Sequence, residues 1–344
     1  MQDLYTENMR KIISYTAAAI LIVLCSSCAK ERSSVTNDAA KRYFDAWIYV
    51  HHPDAERTGL GTYIIEDTPG NGDPIEGSTF ISVNYTISDL DGNISSTSSS
   101  DIAGMLGTYS DENYYGPVYW TYSEDSMNAG LADAIKGMRI NGKRSVVIPG
   151  WLQTYNRYSS EEEYIANLTE NTPAIYTIEI VDTVMNMNYR QIQLIESYLS
   201  GRFGEKVDSL QYGFYYKRTG KPLKEDKFKE DTTVYVNYTG RLLNGKVFDT
   251  TIADTAKIHK IHSTSRTYSP TSIKWAADSL SLTMGSSSSS VISGFSRTLW
   301  QMRSMEKGVG VFLSDLGYGQ SGSGNSIPGY APLVFEVEMV ENEE

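Results

Sequence analysis

Few residues of this chain have both the type and the spacing to do chemistry, and most of them stand alone. His259 and His262 form an H-x-x-H pair, and His51 adjoins His52. Such a pair can offer two nitrogens to zinc, but zinc takes three or four ligands in a rigid frame. The two cysteines, Cys25 and Cys28, both lie near the N-terminus and complete no such set, so the histidines read as solvated loop residues. Gly319-Gln320-Ser321-Gly322-Ser323-Gly324 is glycine-rich, yet no strand-then-helix pattern surrounds it, which argues against a phosphate loop. No Gly-x-Ser-x-Gly elbow presents a serine nucleophile. Glu161-Glu162-Glu163 reads as a solvated face. Neither a metal nor a cofactor is implied.

The 344 residues, 40% hydrophobic and 21% charged, suit a globular protein of about two domains. A formal net charge of −12 would repel a phosphate backbone, which argues against nucleic acid as a partner. The 25 tyrosines, with frequent Ser, Thr and turn signals, lean towards β structure. Met9-Arg10-Lys11 precedes an uncharged, mostly apolar run from Ile12 to Leu24. That run is shorter than the ~20 residues a spanning helix needs. It fits the apolar region of a secretory signal, although a short core helix would use the same residues. Ser26 and Ser27 then precede Cys28 in a pattern that resembles a bacterial lipobox, with Cys25 where Leu is usual. The resemblance implies a signal peptide over 1–28, lipidation of Cys28 and attachment to a membrane of the cell envelope. Ala29 implies sorting to the outer membrane, with the periplasmic and surface sides both open. Residues 29–58 would hold a polar tether and a first helix.

The rest of the chain is an internal repeat. Each unit opens on a helical pattern: Asp38 could cap a run with Tyr43, Phe44, Trp47 and Ile48 on one face, and Ile192, Ile195 and Leu199 recur before Gly201. A Tyr-rich strand follows each, at Thr62–Ile65 and at Phe214–Lys217. Next comes an alternating strand, with Ile81, Val83 and Tyr85 or Val234, Val236 and Tyr238 on one side. Both strands run into a hairpin signal, Asp91-Gly92 or Asn244-Gly245. A short amphipathic helix follows a glycine in each: Leu131, Ile135 and Met138 behind Gly130, and Phe295, Leu299 and Met302 behind Gly294. A last alternating strand carries Tyr176, Ile178 and Ile180, or Leu333, Phe335 and Val337. Strands, one short helix, then strands predicts an α+β domain in which an antiparallel sheet wraps a helix.

The second unit contains four longer motifs in order. Val236-Asn237-Tyr238-Thr239-Gly240 continues through Gly245-Lys246-Val247-Phe248-Asp249. Val291-Ile292-Ser293-Gly294-Phe295 follows, then Ser314-Asp315-Leu316-Gly317-Tyr318-Gly319, then Ile327-Pro328 with Leu333-Val334-Phe335-Glu336-Val337. Together they resemble the FKBP family of peptidyl-prolyl cis-trans isomerases. The resemblance implies two tandem FKBP-like domains, each preceded by a helix: 59–183, a linker helix over 184–204, and 205–342. It also implies an apolar bowl for proline. Its catalytic residues would be Tyr238, Phe248, Asp249 and Tyr318. Leu280, Val291, Ile292, Phe295, Ile327 and Phe335 would bind substrate, with Leu280 at a position that is often Phe. Proline-containing or unfolded exported polypeptides would be the partners. No nucleophile is needed, because rotation of an X–Pro bond requires only a lower barrier than the 18–20 kcal/mol of a peptide bond. A dry aromatic pocket that fits the twisted imide better than the planar one supplies that.

Two features depart from the family pattern. The segment between Thr250 and Leu280, with His259, His262 and Trp275, is longer than usual and could cover the bowl. In the first unit, Ser95 and Ser96 stand where Phe248 and Asp249 do, Leu131 where Phe295 does, and Tyr176 where Phe335 does. That unit is expected to be a non-catalytic copy, and a binding or chaperone lipoprotein is the alternative to an isomerase for the whole chain. Oligomeric state is open.

Overall fold

The alternating runs become the central strands of two antiparallel sheets. The computed structural model describes residues 37–77, 79–123, 126–169, 171–285 and 289–341. The basic and apolar leader, Cys25 and Cys28 lie outside the described residues.

The first half contains helix α1 over 37–51, then β1 (Glu56–Arg57), β2 (Tyr63–Thr68), β3 (Thr79–Ser88) and β4 (Ile94–Thr97). Helix α2 (Ser100–Met105), β5 (Val118–Tyr122), α3 (Ala129–Ile135), β6 (Lys143–Ile148), α4 (Glu161–Ala166) and β7 (Ala174–Val184) complete it. The second half runs α5 (Met187–Phe203), β8 (Ser209–Gln211), β9 (Phe214–Arg218), β10 (Thr233–Leu242), β11 (Val247–Thr250) and α6 (Ala253–Ile258). It closes with β12 (Thr271–Lys274), β13 (Thr283–Met284), β14 (Ser289–Ser290), α7 (Ser293–Gln301), β15 (Lys307–Phe312) and β16 (Leu333–Val340).

The repeat extends to topology. Strands β2-β6-β7-β3 lie side by side, and β3 also carries β4 and β5; strands β9-β15-β16-β10 lie side by side, and β10 also carries β11 and β12. The two hairpin glycines adopt the same positive φ, 86° at Gly92 and 88° at Gly245, as a tight turn after such strands requires. The glycine that opens each short helix has the same role. A Cβ on Gly130 would fall 2.2 Å from Ile148, and one on Gly294 would fall 2.2 Å from Phe312, so in both repeats the helix rests directly on the sheet.

By contact the chain divides into two compact units that cut across this order. One holds 37–77, 86–96 and 122–179; the other holds 79–85, 97–121 and 180–341. In the first, Phe44 and Ile48 of α1 are buried and Phe44 meets Trp151 edge-on at 5.2 Å, whereas Tyr43 is exposed at the border of the helix face.

In the second unit the period-two pattern of β16 sorts residues between two cores. Leu333, Phe335, Val337 and Met339 join Phe295, Leu299 and Met302 of α7 and its border. Val334 joins Ile195 and Leu199 of α5 with Val309 and Val311 of β15. The sheet therefore has α7 on one face and α5 on the other. Helix α5 is capped at its start by the Asn186 side chain and ends on left-handed Gly204. It is pinned to the sheet by Arg202, which with Arg241 of β10 pairs to Glu336 of β16 at 2.6 and 3.0 Å. Burial pushes the Glu336 carboxyl up, but the two arginines outweigh it and hold the group below the usual carboxylate range.

Candidate active site

The hairpin β10–β11 places the first three residues of the site. A latch of hydroxyls fixes its open end: Thr251 Oγ1 accepts from the Tyr238 N–H at 2.9 Å, and Thr250 Oγ1 donates to the Tyr238 carbonyl at 2.9 Å. Gly240 matters because it is bare. A Cβ there would fall 2.5 Å from the Phe248 ring, so only glycine leaves room for that ring to lie across the strand. Phe248 then meets Phe335 edge-on at 5.7 Å. The Tyr238 hydroxyl donates to Asp249 Oδ2 at 2.6 Å. Burial, then the Asp249 charge, pushes that phenol well above its ordinary pKa, so it remains a donor at neutral pH.

Helix α7 and the central strand β16 supply the floor. The Phe295 and Phe335 rings stack at 4.6 Å, and Tyr238 lies 5.2 Å from Phe295 and 5.9 Å from Phe335. Offset and tilted rings at these spacings attract one another beyond their burial. Val291 and Ile292, at the start of α7, are half-buried against the same cluster, and Ile327 lies within it. Tyr318 stands at the edge, 37% exposed. Its phenol is raised by burial and then by Asp249, so this second hydroxyl also keeps its proton and stands within the field of the same carboxylate.

Nine of the ten expected protein-site residues therefore gather around one aromatic cluster and its carboxylate. Leu280 is different. It is 60% exposed in a turn whose N–H donates to Asp278 at 2.8 Å, while Leu282, two residues on, is in the core. The long segment does not put Trp275 among these rings. Trp275 is buried between Trp300, stacked at 5.4 Å, and Phe228 at 4.8 Å. His262 stacks on Tyr268 at 4.9 Å, and His259 Nε2 lies 3.4 Å from Arg241. Among the described residues no group of three His, Cys, Asp or Glu could hold a metal ion.

Sequence reasoning missed Arg266. It lies in the long segment and pairs with Asp249 Oδ1. One carboxylate thus holds a buried phenol on one oxygen and a guanidinium on the other. Reasoning from sequence also missed a cavity of about 400 Å³ beside the bowl, which shares Phe248 and Arg266 with it. Residues 97–121 form part of its wall. Within the same unit, the Tyr114 N–H donates to the Asn325 carbonyl at 2.7 Å, and Lys246 Nζ donates to the Asp111 carbonyl at 2.6 Å.

The first repeat keeps the latch and not the rings. Its Tyr85 N–H donates to Ser98 Oγ at 2.9 Å, and Thr97 Oγ1 donates to the Tyr85 carbonyl at 3.3 Å. This is the hydrogen-bond pattern of Tyr238, Thr251 and Thr250, and it puts Ser95 and Ser96 in the places of Phe248 and Asp249. Tyr176, opposite Val146 as Phe335 is opposite Gly310, donates its hydroxyl to Gln153 at 3.3 Å.

Residues 224–340 match the family model described as FKBP-type peptidyl-prolyl cis-trans isomerase. The chain is 30% identical over 138 residues to a probable FKBP-type peptidyl-prolyl cis-trans isomerase of Haemophilus influenzae, covering 40% of this chain and 46% of that relative. It thus spans under half the length of that protein. It is 31% identical over 136 residues to FK506-binding protein 2 of Dictyostelium discoideum, covering 39% of this chain and 80% of that one. A solved peptidyl-prolyl cis-trans isomerase from Pseudomonas syringae pv. tomato is 27% identical, with 45% of this chain and 94% of that chain covered and a TM-score of 0.31.

Proposed function

This chain belongs to the FKBP-type peptidyl-prolyl cis-trans isomerase family, and we propose on that premise that its second unit rotates X–Pro bonds in exported polypeptides. The observation that carries the reading is the closure of one aromatic cluster by the Tyr238–Asp249–Arg266 array. The proline ring enters against Phe248, Phe295 and Phe335, with Val291, Ile292 and Ile327 around it. Leaving water removes the solvent support for the planar, resonance-stabilised imide. The Tyr318 hydroxyl and the Ile292 N–H hold the flanking carbonyls, and Asp249 faces the one that rotates. These contacts strengthen as the bond twists, which is the condition for acceleration. The test is magnetisation-exchange NMR on an X–Pro peptide with the purified protein. Faster cis–trans exchange is expected; exchange at the uncatalysed rate would overturn the proposal.

The first unit is proposed to hold polypeptide without turnover. The support is the serines at positions 95 and 96, which leave its hairpin with neither aromatic wall nor acid.

The same proposal sets the protein on the envelope through a lipid on Cys28, and the support is the leader sequence together with the small residues before that cysteine. No helix among the described residues is long and apolar enough to cross a membrane. Cells fed labelled palmitate should label the wild-type chain, and Cys28→Ala should lose the label and leave the membrane fraction. Label retained in Cys28→Ala would remove the anchor from this site.

A further inference from the structure

We infer that the cavity beside the bowl is a subsite for the side chain next to the bound proline, and that Glu112 makes it favour a cationic one. The inference rests on the isomerase reading of the bowl. The cavity, of about 400 Å³, and the bowl share the Phe248 ring, so a peptide with its proline against that ring has a neighbouring side chain within reach of the cavity. The lining is mostly polar: Asn113, Ser263, Tyr268, Asn325 and Ser326 offer amides and hydroxyls.

Two charges line it, and they are not equivalent. Arg266 is already matched by Asp249. The Glu112 side chain is exposed and has no ion-pair partner among the described residues. Lys246 and Lys260 lie nearby without pairing to Glu112: Lys246 donates to the Asp111 carbonyl at 2.6 Å and feels the charges of both Asp111 and Glu112 from there, and Lys260 lies 3.7 Å from the Asp111 carboxylate. An entering Lys or Arg finds an unpaired carboxylate. An entering Glu or Asp meets that carboxylate and finds Arg266, the one cation lining the cavity among the described residues, already paired.

The placement of Glu112 is fixed rather than incidental. The backbone on either side of it is tied to the rest of the unit, at the Asp111 carbonyl and at the Tyr114 N–H. The selecting residue thus comes from residues 97–121, far in sequence from the bowl it serves.

The test uses the full chain and peptides carrying Lys, Glu or Leu immediately before or after a single proline. Exchange rate and Kd are measured for wild type, Glu112→Gln and Glu112→Lys. Wild type should favour the Lys over the Glu peptide by about fivefold at low salt, the scale of an exposed ion pair gained in one and a repulsion met in the other. Glu112→Gln should flatten the ratio and Glu112→Lys should invert it. Added salt should shrink it. A ratio that is the same in all three proteins would overturn the subsite. If no peptide is turned over, the isomerase reading fails, and the Kd ratios decide the subsite by the same comparison. If none binds, both fail.

Discussion

Asp249→Ala is expected to lower kcat/KM for X–Pro isomerisation at least tenfold, a loss of ~1.4 kcal/mol of transition-state stabilisation for each factor of ten. Two groups depend on this carboxylate, the Tyr238 hydroxyl on one oxygen and Arg266 on the other, and the Tyr318 phenol stands in its field. Removing it leaves the Tyr238 hydroxyl buried without its acceptor, which costs about 1–3 kcal/mol of stability. The half-exposed Arg266 returns to water. Asp249→Asn separates geometry from charge, because an amide oxygen can still accept from Tyr238. If the charge beside the rotating carbonyl matters, the Asn variant loses most of the rate through kcat, with KM nearly unchanged. Full activity in Asp249→Asn would confine the residue to holding Tyr238 in place.

Glu306→Ala should destabilise the second unit by about 2–5 kcal/mol, the cost of leaving two inward-facing donors without their acceptor. Glu306 is fully buried between β15 and α7, and its carboxylate accepts from the Tyr216 hydroxyl, from Arg218 Nε at 3.0 Å and from the Arg303 N–H at 3.0 Å. Tyr216 has nowhere to turn. Its ring lies over Gly308, where a Cβ would fall 2.3 Å from the hydroxyl, and burial followed by Glu306 drives its pKa far up. Truncating the acid therefore strands a half-buried hydroxyl and a backbone donor, while Arg218, at the surface, loses little. The urea midpoint of the full chain should fall in Glu306→Ala and fall less in Glu306→Gln, which still accepts a hydrogen bond. Equal midpoints for wild type and Glu306→Ala would show that the contact does not stabilise the fold.

What was legible in the sequence was local. The alternation around Val83 and Val236, the Asp-Gly and Asn-Gly turns and the glycines that open α3 and α7 each specify their own neighbourhood, and both sheets are built from them. The aromatic cluster was legible through motif order, since Tyr238, Phe248, Phe295 and Phe335 sit in elements with firm registers. Arg266 was not, because it lies where the chain has no hydrophobic period and its pairing with Asp249 depends on how an irregular segment folds back. Leu280 shows the same limit from the other side: without a register in that segment, an apolar residue two places from the buried Leu282 was assigned to the bowl. The joining of 97–121 to the rest of the second unit was not legible either, because its contacts, such as the Tyr114 N–H to the Asn325 carbonyl and Lys246 to the Asp111 carbonyl, link residues far apart in sequence and follow no period.

The hydroxyl latch shared by the two hairpins has a consequence for how such a protein can change. In both repeats the bonds run between the tyrosine backbone and the Ser or Thr at the strand end, and none of them involves the side chains at 95 and 96 or at 248 and 249. The latch thus forms whatever those two positions carry, although in the second repeat Asp249 also satisfies the buried Tyr238 hydroxyl. A duplicated copy can shed its chemistry, or acquire another, by point substitution on a hairpin that folds the same way throughout. Divergence between the repeats leaves the latch in place, and its cost is limited to the contacts the lost side chains made themselves.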